Sequence, residues 1–309
     1  MGVFRLGLGV VRLGWVGRFR QLQVVLLVVP RRLLTRSSAD EPAADLAVIG
    51  GSGFYELFDS GRDVETDTPY GPPSAPVRIG HIADRPVAFL PRHGLRHELP
   101  PHRIPYRANV WALRQLGVTR VLAPSAAGSL RGDVHPGDLV VCDQLVDRTS
   151  GRADTYFEGP NVQHVSFADP YCAEMRSVVT AAAAAPAAEH GSNVHAAGTM
   201  VVIQGPRFST RAESRWYRAA GWDVIGMTQY PEAVLARELG LCYCGLALVT
   251  DYDTGVEGDD SVGAVSMDAV FEVLREMVGL ARAVVAAAVP TITTARSCTC
   301  APPTGVAAP

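Results

Sequence analysis

Asp251 and Asp253 flank Tyr252 directly after the apolar run Cys242 to Thr250. Acids placed just past a buried strand can share a proton with a ligand, because burial raises a carboxyl pKa toward the working range. The same pair also reads as a solvated strand-end turn. In Pro91-Arg92-His93-Gly94 a fixed cation stands beside a titratable imidazole, and both are good partners for phosphate. Ile49-Gly50-Gly51-Ser52-Gly53-Phe54 is a glycine-rich turn after a strand, whose backbone amides could cradle an oxyanion. It fails the dinucleotide fingerprint, because Glu56 stands where the third glycine belongs, and the hydrolase elbow, because Ser52 lacks a glycine two positions later.

Three more clusters complete the set. Pro124 to Ser129 and Gly226-Met227-Thr228 offer hydroxyls and open amides, and Gly205 to Glu213 presents the ring of Phe208 before a helix capped by Ser209 or Thr210. Each has a bland reading as packing or a turn. Five of the six nevertheless follow an expected strand, and ligands of α/β folds sit at the carboxyl ends of strands. By chemistry they sort into an anion site (Ser52, Arg92, His93, Ser125, Thr228), an aromatic face (Phe208) and a carboxylate pair (Asp251, Asp253).

The elements that must position these residues follow from apolar patterning. Strands are expected at 46–50, 77–82, 87–90, 120–123, 138–142, 199–204, 224–227 and 242–250, and helices at 106–116, 174–185, 211–220, 231–239 and 267–288. In the last helix Val270, Val273, Leu274, Met277 and Leu280 recur at helical spacing as a core face. Alternating strands and helices predict an α/β protein. A single folded domain spans 45–290, with 1–44 a poorly ordered basic extension and 291–309 a loose tail rich in Thr, Ala and Pro.

Residues 1–39 hold seven Arg and no acid, so the rest of the chain carries 21 basic against 31 acidic residues. So acidic a body is a poor nucleic-acid binder. The apolar run Val24 to Val29 is too short to cross a bilayer. The extension resembles a mitochondrial transit peptide in its arginines but has no convincing cleavage pattern. The six cysteines lack the paired spacing of a zinc site and the density of a secreted disulfide scaffold, which points to a reducing cytoplasm. Cys298 and Cys300 read as two free thiols in the tail, with a strained redox pair as the alternative.

The order of several segments makes the chain similar to the trimeric purine nucleoside phosphorylase family. They include Ile49-Gly-Gly-Ser-Gly53, Pro91-Arg-His-Gly94, Tyr106-Arg-Ala-Asn-Val-Trp-Ala-Leu113, Ala126-Ala-Gly-Ser-Leu130, Gly205-Pro-Arg-Phe-Ser209, Met227-Thr228, Pro231-Glu232 and Thr250-Asp-Tyr-Asp253. The resemblance spans roughly Leu46 to Pro290. It implies one α/β domain around a central mixed sheet flanked by helices, no metal, no organic cofactor, and inorganic phosphate as co-substrate. It also implies a homotrimer or a dimer of trimers. Position by position, the phosphate site falls on Ser52, Arg92, His93, Ser125, Ala126 and Thr228. Met227 lies against the ribose, Phe208 against the base, and Asp251 and Asp253 against the purine edge, with Asp251 as the proton-sharing acid. His164 reaches a neighbouring subunit's 5' pocket, and Ser209 and Met267 bear on specificity.

The activity so implied is phosphorolysis of a purine nucleoside, with 5'-methylthioadenosine as the leading substrate and 6-oxopurine nucleosides, inosine or guanosine, as the alternative. Outside that class stand an NAD-dependent oxidoreductase, resting on the glycine-rich turn alone, and an inactive nucleoside-binding protein.

Overall fold

The computed structural model of the chain describes residues 43–300 apart from 55, 56, 59, 161, 256–262 and 264. The expected extension therefore lies outside the described residues as far as 42. Its last two positions belong to the body: the Ala43 amide donates to the Leu116 carbonyl at 2.9 Å, and Ala44 is fully buried.

The chain runs β1 (Leu46–Gly50), β2 (Arg62–Val64), β3 (Val77–Ile82), β4 (Arg85–Pro91), α1 (Tyr106–Gln115), β5 (Arg120–Ser129), β6 (Leu139–Val141), β7 (Gln144–Arg148), α2 (Ala173–His190), β8 (Val194–His195), β9 (Thr199–Ile203), α3 (Arg211–Ala219), β10 (Val224–Gly226), α4 (Gln229–Glu238), β11 (Cys242–Asp251) and α5 (Met267–Ala288). The strands form one mixed sheet in the order β2-β3-β4-β1-β5-β10-β9-β7, with β11 pairing β5 and β6, and β6 pairing β8. The sheet forks at β5. Its first residues pair with β1, its last with β10, and nearly its whole length with β11. Both central strands are buried almost throughout, which suits the apolar run of β11, while β5 carries Pro124, Ser125 and Ser129 within the same buried ladder.

One core lies on the α1 and α4 side, around Leu113, Val121, Leu235 and Tyr243, and the other lies under α2 and α5, around Leu46, Leu122, Met175, Leu246 and Val284. α3 opens on a capping box in which the Thr210 hydroxyl accepts from the Glu213 amide and the Glu213 carboxylate accepts from the Thr210 amide. α5 starts at the Ser266 hydroxyl, which accepts from the Ala269 amide.

The expected element types hold, and the boundaries differ where local signals mislead. The strand expected to end at Ala123 continues through Pro124 to Ser129, because β11 supplies partners as far as Gly128 and β10 pairs with Gly128 and Ser129. Ser125 and Ala126 therefore lie within a strand rather than in a turn after it. α2 passes through Pro186 and stops at Gly191, whose φ of 79° is the left-handed conformation of a helix C-terminus. The short strands β2, β7 and β8 were not expected; each is short and partly exposed, so its apolar pattern is weak.

The part of the expected loose tail that is described, 291–300, is pinned to the body. Arg120 donates to the Ala295 carbonyl, Arg296 to the Gly240 carbonyl at 2.7 Å, and Ser297 to Glu174 at 2.8 Å. Ile292 and Cys300 are buried.

Candidate active site

Register brings the scattered clusters together. Gly50 of β1 pairs with Pro91 of β4, and the β1–β5 pairing, continued from Val48↔Leu122, sets Gly50 level with Pro124. One residue further along these three parallel strands lie Gly51, Arg92 and Ser125. β10 runs antiparallel to β5 with Ile225 opposite Gly128, so the chain beyond it, through Met227 to Thr228, returns toward Ser125. β11 pairs Ala247 with Ser125 but Asp251 with Gly128, the register slipping by one residue between Val249 and Asp251. This bulge lets Asp251 take the place in the ladder that alternation assigns to Thr250. The outcome is a set of levels along the strands. Arg92 and Thr228, expected to hold an anion, come level with Ser125, Met227 lies near Ala126, and the acids lie at Gly128, three residues or roughly 10 Å from Ser125.

These levels line one cavity of about 240 Å³. Its walls include Ser52, Arg92, His93, Ser125, Ala126, Phe208, Met227, Thr228, Asp251 and Asp253. Sequence reasoning selected all of these. It did not select Ile203, Ile225, Val270, Phe271 or Leu274, which supply the apolar wall; Val270 and Leu274, read as core, face both the core and the cavity. His164 is exposed and is not among the lining residues. Met267 opens α5, and Ser209 sits between Phe208 and the start of α3 with its hydroxyl buried.

At the Ser125 level the groups are held by one another and by backbone carbonyls. Arg92 is fully buried and paired with Glu232 of α4, Nε to Oε1 at 2.8 Å and Nη2 to Oε2 at 2.9 Å. It also donates to the carbonyls of Pro124 and Ile49. A guanidinium carries five N–H groups, so these four bonds leave one Nη1 hydrogen uncommitted among the described residues. Nη1 lies against Gly51, where an added Cβ would come within 3.0 Å of it. Glycine-like closeness also governs Gly50, whose Cβ would meet the Phe54 carbonyl at 2.3 Å.

His93 is buried, and its Nδ1 lies 2.8 Å from the Leu99 carbonyl. A carbonyl only accepts, so Nδ1 carries the proton and Nε2 presents a lone pair. Burial pushes the imidazole pKa down to about 4. Sequence reasoning took His93 as a titratable imidazole beside a fixed cation, and burial favours its neutral form at neutral pH.

Ser125 is oriented by a relay that sequence reasoning missed. The Tyr171 hydroxyl donates to Gln229 Oε1, and Gln229 Nε2 donates to Ser125 Oγ at 3.1 Å. With its oxygen already accepting, the Ser125 hydroxyl is set to donate. Arg152 clamps the turn that carries Met227 and Thr228, donating to the Met227 carbonyl at 2.9 Å and to the Tyr230 carbonyl.

At the other end the Thr250 hydroxyl donates to Asp251 Oδ2 at 2.8 Å and the Asp253 amide to Asp251 Oδ1 at 2.7 Å. Burial nevertheless raises the pKa of Asp251. Asp253 takes the left-handed conformation, φ 55°, and burial raises its pKa as well, with the Ser214 hydroxyl opposing. Its Oδ2 is buried with no hydrogen-bond partner among the described residues. The Ser209 and Ser214 hydroxyls, also unpaired among the described residues, lie beside this carboxylate, so its acceptor can take a hydrogen bond from either of them or from a ligand.

The match that decides the family covers residues 45–289, where the chain fits the model of the phosphorylase superfamily. The chain belongs to the phosphorylase superfamily. It is 59% identical over 228 residues to the S-methyl-5'-thioadenosine phosphorylase of Mycolicibacterium smegmatis, which covers 74% of this chain and 84% of that protein. It is 54% identical over 232 residues to the purine nucleoside phosphorylase of Streptomyces coelicolor, covering 72% and 81%. Among solved structures, methylthioadenosine phosphorylase from Schistosoma mansoni in complex with adenine aligns with a TM-score of 0.75 and 39% identity, over 80% of this chain and 91% of that one. Within this phosphorylase chain, the residues that sequence reasoning left without a role, Glu232, Gln229, Tyr171 and Arg152, are the ones that hold the others. Glu232 left the clearest trace, an acid in an otherwise apolar stretch after Pro231.

Proposed function

We propose that the chain catalyses phosphate-dependent cleavage of 5'-methylthioadenosine to adenine and 5-methylthioribose 1-phosphate. The observation that carries this reading is the spacing of unlike chemistries in one cavity: anion donors at the Ser125 level, apolar surface between, and two acids with raised pKa at the Gly128 level. Phosphorolysis needs a nucleophilic anion on one face of a sugar that gains oxocarbenium character, and stabilisation of the departing base on the other.

In this mechanism the free Arg92 hydrogen and the hydroxyls of Ser52, Ser125 and Thr228 hold phosphate, and the neutral His93 Nε2 accepts the remaining proton of hydrogen phosphate. A phosphate oxygen attacks C1' as the bond to N9 breaks, and the bonding pair passes into the purine ring. Asp251 shares the proton on one oxygen with N7 and accepts from the 6-amino group at the other, with Asp253 beside the same edge. Phe208 covers the base and Met227 the ribose. No metal or organic cofactor takes part in these steps, and phosphate is consumed as co-substrate.

An apolar wall of Val270, Phe271 and Leu274 suits a methylthio group better than a hydroxyl, with Met267 at the head of the same helix and Ser209 beside the base as further specificity positions. The proposed assembly is a homotrimer or a dimer of trimers, in which the exposed His164 reaches a neighbour's 5' pocket. Six free cysteines fit a cytoplasmic setting, and no described helix is long and apolar enough to cross a membrane.

The test is a panel of methylthioadenosine, adenosine, inosine and guanosine, assayed with and without phosphate. Adenine release from methylthioadenosine that requires phosphate is expected. Undiminished release in phosphate-free buffer, or a preference for inosine, overturns the reading.

A further inference from the structure

At the opposite ends of the strands from the cavity, four cysteines from three distant segments meet. Cys172 precedes α2, Cys242 opens β11, and Cys298 and Cys300 come from the pinned C-terminal segment; their four sulfur atoms all lie within 4.8 Å of one another. Cys242 is level with Arg120, five residues before the Ser125 level, so the cluster lies roughly 17 Å along the strands from the proposed phosphate site. Sequence spacing hid it. Only the Cys298-Thr299-Cys300 pair is local, and the other two sulfurs arrive by folding.

We propose that these four thiols form a closed structural site for a single zinc ion that clasps the C-terminal segment to α2 and β11. Tetrahedral zinc with bonds of about 2.3 Å places its four sulfurs about 3.8 Å apart. The observed spread, with Cys242 and Cys298 at 3.3 Å and every pair within 4.8 Å, brackets that value. Two separate disulfides would divide the sulfurs into two bonded pairs at about 2.05 Å; four sulfurs around one point are the arrangement a tetrahedral ion needs.

The surroundings fit too. Cys172, Cys242 and Cys300 are buried in the apolar core under α2 and α5, with Cys298 packed against its edge as the point of entry. Cys172 stands at the N-terminus of the 18-residue helix α2, where unpaired amides and the helix dipole favour negative charge. Binding exchanges one zinc ion for the four thiol protons, which pass to solvent, and leaves a tetrathiolate of net charge −2; no group is oxidised or reduced. With all four ligands supplied by protein, the site has no open position for catalysis.

The test uses the full chain expressed in zinc-supplemented medium and purified under reducing conditions. Elemental analysis is expected to find about one zinc per chain, falling at least tenfold in Cys298→Ser/Cys300→Ser. Cobalt added to the zinc-stripped protein is expected to give the intense visible bands and sulfur-to-metal charge-transfer absorption of a tetrahedral thiolate site. A chelator should lower the melting temperature of the wild type and leave that of the double variant unchanged. Zinc-free wild type with all six thiols titrating overturns the proposal, as do two disulfides in the alkylated protein or zinc retained by the double variant. If the double variant does not fold, the metal content and cobalt spectrum of the wild type decide alone.

Discussion

Arg92 of the β4 end and Glu232 of α4 share two hydrogen bonds, at 2.8 and 2.9 Å, with both side chains completely excluded from solvent. The Tyr243 hydroxyl donates to the same carboxylate at 2.7 Å. Desolvation disfavours each charge alone, and the partner restores it. The pair therefore delivers a fixed cation to the anion level without leaving a net charge in the core.

Removing one member of such a pair costs about 3–5 kcal/mol, because the other charge is left buried and uncompensated. Glu232→Gln should lose about that much in urea unfolding, and its phosphate KM should rise. A double replacement, Arg92→Met with Glu232→Met, should regain most of the stability but not the phosphate-dependent turnover. Equal loss of stability in the single and double variants would contradict the account.

The buried imidazole of His93 gives a pH signature. Its pKa falls from 6.5 in the unfolded chain to about 4 in the fold, so between those values the unfolded chain binds more protons. Stability from this group is full above about 6.5 and is lost as pH falls to about 4. His93→Asn keeps a donor for the Leu99 carbonyl and does not titrate. The unfolding free energy of the wild type should therefore drop more steeply than that of the variant across this window. Parallel curves would refute the assignment.

The Gln229 relay predicts a split between binding and turnover. Gln229→Leu should raise the phosphate KM about tenfold, close to the effect of Ser125→Ala, with a smaller change in kcat. Because both act on one hydroxyl, the double variant should add little to either single. Strict additivity would show that Gln229 does not act through Ser125.

In the proposed mechanism Asp251 carries the choice of purine. An adenine donates from its 6-amino group, whereas a 6-oxopurine accepts there. Asp251→Asn replaces an acceptor with a group that also donates, so the ratio of kcat/KM for adenosine to that for inosine should fall roughly ten- to a hundredfold. Because a buried acid donates only while protonated, the alkaline limb of the wild-type pH profile should also be lost in the variant. An unchanged ratio would move the discrimination to Asp253.

The two ends of the cavity were unequally legible in the sequence. Arg92, Ser125, Asp251 and Asp253 were visible because each breaks an apolar run at a strand end, where α/β folds collect ligands. Glu232, Gln229 and Tyr171 were not, because a residue that holds another is chosen by a contact across more than fifty positions of chain. The apolar wall escaped for a different reason: Val270 and Leu274 repeat at helical spacing, and spacing reports that a face is covered without saying whether protein or ligand covers it. The tail was misread because its composition signals disorder, while Arg120 and Arg85 donate to its carbonyls and its own Arg296 donates to the Gly240 carbonyl, partners that no local window contains.

The single extra residue in β11 has a consequence for how this site can vary. Because side chains alternate faces along a strand, the identity of the residue facing Gly128 depends on the bulge: with Thr250 bulged out it is Asp251, and a regular ladder of the same length would put Thr250 there. Point substitution can therefore retune the acid at that level, as Asp251→Asn would. Loss of the bulge at unchanged length cannot be graded in the same way, since it exchanges the faces of Thr250 and Asp251 at a stroke. Sequences drifting from this one are free to change side chains at the cavity floor while the pairing of Asp251 with Gly128 is kept, either by the bulge or by loss of its extra residue.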